Sequence, residues 1–150
     1  YKLSLSRKPQ KVSEHLTFLG EIPQLNDFEI RSQFGVRRVG ETFEPDFVME
    51  DSALVYDAGE SISIITGCSH AGICNIVQYA VSLFEKPVAG IIGGFHLKEV
   101  NDRVEKTIEY LAGLGLKELY PCHCTSFAVR SAIHQRIPVG EVGVGMKIEW

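Results

Sequence analysis

No apolar run in this sequence is long enough to span a bilayer, and nothing at its start resembles a signal peptide. The expectation is a cytoplasmic protein with no membrane partner. Positive charge is also scarce. Lys and Arg number 15 against 19 Asp and Glu, for a net charge of −4. No broad basic field marks the chain for nucleic acid. Cysteine is missing from the first 67 residues: Cys68, Cys74, Cys122 and Cys124 all sit beside His70 or His123. A disulfide framework would spread them along the chain. The paired C-x2-C knuckles of a zinc ribbon are absent too.

What is present fits one soluble α/β domain spanning residues 1–150. The 45% hydrophobic and 23% charged content is ordinary for a globular chain of 150 residues. The chain begins with Tyr1 rather than Met, so a trimmed or partial protein is expected. Residues 1–12 read as a connector or frayed edge strand, and 15–19 as a short strand stopped by Gly20. Residues 23–50 read as a flap or irregular loop, with Arg37 and Arg38 as its most basic point. Strands follow at 53–56 and 61–66, joined by a turn through Gly59. Ile73, Ile76, Val77, Ala80, Val81 and Phe84 form the apolar stripe of a helix over 71–86. A second buried strand at 88–94 leads to a helix capped by Asn101. A third strand at 116–121 leads to a helix from Thr125 or Ser126 to about Gln135. Residues 139–150 read as a last extended segment, bent at its glycines.

Three histidines stand out by position. His70, His96 and His123 each follow a buried strand within a few residues. Parallel strands end on one edge of a sheet, and that edge is where α/β proteins bind ligands. Imidazole is the commonest metal ligand, and three of them suit zinc, iron or manganese. Cys68, Cys122 and Cys124 lie close enough to support or join such a site, whereas Cys74 reads as a packed core thiol. His15 and His134 read as ordinary polar residues.

These residues resemble a known family. Thr66-Gly67-Cys68-Ser69-His70-Ala71-Gly72-Ile73, Gly93-Gly94-Phe95-His96-Leu97, Pro121-Cys122-His123-Cys124-Thr125 and Val142-Gly143-Val144-Gly145 occur in the order seen in the metallo-β-lactamase superfamily. The branch is the dihydropteroate-synthase-like one, which includes ribofuranosylaminobenzene 5'-phosphate synthases. Gly20-Glu21-Ile22-Pro23, Asp27-Phe28-Glu29 and Glu50-Asp51 also fit that branch.

The resemblance implies the second half of an αββα sandwich, one mixed sheet layer covered by helices. It implies metal bound by His70 and His123, with His96 as a third ligand or a catalytic contact to substrate. Many members carry an Asp near position 94, and this chain has none there. The cofactor expected is zinc, with iron or manganese as alternatives. The substrate expected is a small phosphate ester or pterin-like molecule. The superfamily's H-x-H-x-D-H string is missing, so the partner expected is the absent first half or a second copy of the chain. Without that half the chain is expected to be inactive. Two other readings stay open: a non-catalytic binding or assembly module, and an α/β domain built on structural zinc.

Overall fold

In the computed structural model, which describes residues 3–150, the chain folds around one mixed sheet. Tyr1 and Lys2, the first residues of the expected connector, lie outside the described residues. The elements in order are β1 (Gln10–Lys11), β2 (Leu16–Phe18), β3 (Gly35–Val39), β4 (Thr42–Asp46), β5 (Ala53–Asp57), β6 (Ile62–Thr66), α1 (Ile73–Phe84), β7 (Val88–Gly94), α2 (Asp102–Ala112), β8 (Glu118–Cys122) and α3 (Phe127–His134). Six strands pair in the order β1-β2-β5-β6-β7-β8. The pairs up to β5–β6 are antiparallel, whereas β6–β7 and β7–β8 are parallel. Parallel neighbours need crossovers, and α1 and α2 supply them.

Strand register separates two faces. Val55, Ile64, Ile91 and Leu119 are cross-strand partners, and all are buried in one core with α1, α2 and α3. Each such side chain contributes roughly 1.5–3 kcal/mol by leaving water. The next row, Phe18, Leu54, Ile65, Ile92 and Tyr120, points the other way and is only half-buried. The three helices cover one face, as the apolar stripes require.

Asn101 caps α2 as expected, its side chain accepting from the Val104 N–H. Ser126 rather than Thr125 caps α3. Two expectations need correction. Residues 23–50 are not irregular throughout, because β3 and β4 form a hairpin closed by Gly40 and Glu41, with Gly40 at φ 61°. A two-residue turn with a left-handed glycine matches the twist of paired strands. Residues 139–150 form no strand. They dock on β8 through the Gly140 N–H donated to the Leu119 carbonyl. They end with Trp150, whose Nε1 donates to Glu118 Oε2 at 2.6 Å above Gly90.

Candidate metal centre

The carboxyl ends of β6, β7 and β8 lie side by side, so the turns that follow them share one edge. The β6 turn is tied to β7. Buried Ser69, at φ 54°, donates from Oγ to the Gly94 carbonyl at 2.7 Å, and the Gly94 N–H donates back to Gly67 O at 2.9 Å. His96 and His123 also take left-handed backbone, at φ 49° and 51°. Such angles are uncommon for residues with a Cβ and mark places the surroundings over-determine.

The start of α1, just after His70, is held from a distance. Gly72 precedes the helix and has no side chain to cap it. Glu29, fully buried, does so instead: Oε1 accepts from the Cys74 N–H at 3.0 Å and Oε2 from the Asn75 N–H at 2.8 Å. A carboxylate satisfies orphan donors there and meets the positive end of the helix dipole. Asn75 completes the tie, accepting from the Leu25 and Asn26 N–H groups and donating to the Glu29 carbonyl. Asp51 accepts from the Ala71 N–H at 2.9 Å. Sequence reading noted Glu29 and Asp51 only as part of a resemblance and missed Asn75. The available signal was a helix preceded by glycine with no acid in its first turn, a helix that needs its cap from elsewhere.

His70 and His96 meet, with ring centroids 4.2 Å apart. Phe34, at the base of the β3–β4 hairpin, lies edge-on to both, at 4.9 and 6.0 Å. His96 Nδ1 is buried and finds no hydrogen-bond partner among the described residues. Burial holds this imidazole below its usual pKa, and the charge of His70 pushes the same way. Both effects favour the neutral form that binds metal.

His123 turns elsewhere. Its Nε2 lies 3.1 Å from Cys68 Sγ, and Cys124 Sγ is 3.5 Å from the Cys68 carbonyl. The His96 N–H donates to Cys124 Sγ at 3.2 Å, so the two groups of donors adjoin. Burial, and then Cys124, raise the Cys68 thiol above its usual pKa. Cys122 is half-buried, and Cys74, in the first turn of α1, is packed in the core. A Cβ on Gly94 would sit 2.6 Å from Cys124 Sγ, so the glycine makes room for the sulfur. Imidazoles and thiols together, with one buried nitrogen unpartnered, fit a borderline-soft divalent metal. A cavity of about 540 Å³ lined by Ser6, Arg7, Glu21 and Arg37 contains none of these donors.

No protein-family model matches the chain. It is 30% identical over 134 residues to an uncharacterized protein of Methanocaldococcus jannaschii, covering 89% of this chain and 49% of that one. It is 32% identical over 128 residues to the 7,8-dihydropterin-6-methyl-4-(beta-D-ribofuranosyl)-aminobenzene-5'-phosphate synthase of the same organism, covering 82% and 44%. The chain thus spans about half the length of the curated relatives it matches. Among solved structures it superposes on Tm1679, a metal-dependent hydrolase of the beta-lactamase superfamily. The TM-score is 0.83 and the identity 26%, over 99% of this chain and 58% of that one. The parallel strand ends with their histidines, and the sheet that carries them, therefore constitute a metallo-β-lactamase-like fold.

Proposed function

We propose that this chain is the second half of a metal-dependent hydrolase or synthase of the metallo-β-lactamase superfamily, acting on a small phosphate ester. The observation that carries the reading is the close, tilted His70–His96 pair at the ends of β6 and β7, with a buried, unpartnered Nδ1 on His96. His70 and His96 would hold the metal, whereas His123, expected as a further ligand, has its Nε2 against Cys68 Sγ among the neighbouring sulfur donors. Zinc is the metal proposed, with iron or manganese as alternatives. When bound, such a metal supplies Lewis acidity and a water acidified toward neutral pH.

The chain's own residues prepare the site. Glu29 and Asn75 fix the start of α1 behind His70. Ser69 locks the turn that carries it. Phe34 shields one side of the imidazole pair from water. His96, the farther of the two from Phe34, is also placed to contact substrate. The phosphate-ester reading draws on the name of the synthase relative. The remaining ligands would come from a first half, seated on the half-buried row from Phe18 to Tyr120.

The test compares the chain alone with the chain joined by a first half bearing H-x-H-x-D-H, in cis or as a second polypeptide. Metal content and turnover of a generic phosphodiester are measured. The chain alone should be inactive, the reconstituted protein active, and His70→Ala should abolish both metal binding and turnover. Full activity from the 150 residues alone would place the catalytic centre elsewhere.

A further inference from the structure

Cys68, His123 and Cys124 offer three ligand atoms that all lie within 4.8 Å of one another, the one such group of His, Cys, Asp or Glu among the described residues. We propose that these three side chains form a zinc-class site of two thiolates and one imidazole, beside the His70–His96 pair. The inference goes beyond the function proposed above, since it gives the edge a sulfur-rich site whether or not the chain contributes to hydrolysis.

Donor spacing supports it. Tetrahedral zinc, with bonds of about 2.3 Å to sulfur and about 2.0 Å to nitrogen, sets its donors roughly 3.5–3.8 Å apart. His123 Nε2 and Cys68 Sγ are already 3.1 Å apart, and no pair in the group exceeds 4.8 Å. Shifts of about 1 Å or less, within reach of side-chain rotation, close the set. Core packing does not explain the group: His123 is exposed, and Cys68 and Cys124 are only half-buried. Cys74, by contrast, is fully buried and does pack in the core.

Two surrounding features are built for the sulfurs. Position 94 is glycine, and any Cβ there would collide with Cys124 Sγ and, as closely, with the Gly67 carbonyl. The His96 N–H already points at that sulfur at 3.2 Å, the outer hydrogen bond that steadies a metal-bound thiolate. Three protein ligands leave a fourth position, and the exposure of His123 leaves it open to solvent. Open sites of this kind take a water or a substrate, whereas closed structural sites take four protein ligands.

The test titrates the reduced, metal-free chain with Co²⁺, followed by near-ultraviolet absorption, and then displaces the cobalt with Zn²⁺. Sulfur-to-cobalt charge-transfer bands should grow to saturation at one equivalent and vanish with zinc. Cys68→Ser and Cys124→Ser should each weaken the bands about twofold or more, since two thiolates contribute. Cys122→Ser should leave them unchanged. A second measurement needs no variant: zinc should protect Cys68 and Cys124 of the unaltered chain from iodoacetamide, read by peptide mass, and leave Cys122 as reactive as before. Failure to bind cobalt, binding without charge-transfer bands, or alkylation unaffected by zinc would each overturn the proposal. Binding without those bands that is lost in His70→Ala would leave the imidazole centre standing and sink only this site. Strong bands in a reconstituted protein without turnover would do the reverse.

Discussion

Glu29 shows how one residue far from the chemistry sets its geometry. Its two oxygens satisfy two backbone N–H groups at the start of α1, and it is fully buried while doing so. Removing it strands both donors, at about 1–3 kcal/mol each. Glu29→Ala should therefore lower stability by about 3 kcal/mol, read from urea midpoints at constant slope. It should also weaken metal binding, because His70 sits in the turn that leads directly into that helix start. A loss below about 0.5 kcal/mol would mean that water replaces the carboxylate without cost. At this scale the sequence was legible in part. His70, His96 and His123 announced themselves by following buried strands. Their grouping did not: His123 takes a left-handed backbone angle and lies against Cys68 rather than His70, and neither feature is written in the strand pattern. Nor did the bond from the Leu25 N–H to Asn75 Oδ1, which joins residues fifty positions apart.

At the scale of elements, legibility followed burial. β7 was readable to the residue as 88–94, since a strand inside a parallel sheet is a continuous apolar run. The β3–β4 hairpin was not, because all but one of its strand residues are exposed and no apolar alternation marks them. Its cohesion comes from a turn and a cross-strand pair, Arg37 with Glu44 at 3.4 Å. The junction of α1 with the β5–β6 turn gives a pH-dependent case. Lys86 donates to both oxygens of Asp57, at 2.6 and 2.8 Å. That bond, and then the Gly59 N–H, hold the Asp57 carboxyl below its usual pKa. A depressed folded pKa stabilises above the unfolded value and loses that stability as pH falls through the folded one. Lys86→Met should cost about 0.5 kcal/mol at pH 7, the ordinary worth of a half-exposed ion pair. The gap between variant and parent should close in acid as Asp57 is protonated. A gap that persists when Asp57 is fully protonated would show that the lysine stem, not its charge, does the stabilising.

The whole molecule is lopsided. One face of the sheet is sealed by three helices, whereas the other shows an unbroken row of Phe18, Leu54, Ile65, Ile92 and Tyr120. These side chains are only half-buried, and a contiguous apolar row that no element fully covers marks a site of association. Sedimentation velocity of the 150-residue chain should show concentration-dependent self-association. Ile92→Lys, on the open face, should weaken it about tenfold or more by removing an apolar contact worth roughly 1.5–3 kcal/mol. It should leave the far-ultraviolet circular dichroism unchanged. A monomer at every concentration would remove the need for a partner layer. The lopsidedness was legible from the sequence, since β6 and β7 are apolar on both sides and too few helices follow to cover both. The path of the last twelve residues was not, because Gly140 fits against the Tyr120 ring by tertiary contact alone.

The chain has a single tryptophan, and Trp150 rests on that open face, over the row Tyr56, Ser63, Gly90 and Glu118. A second layer that seats there must either fold around the indole or lift it away from Glu118. Either event changes the polarity that the ring feels, and indole emission shifts in colour with polarity. The molecule therefore carries its own optical gauge of whether its uncovered face is dressed, with no label added and no other indole to blur the reading.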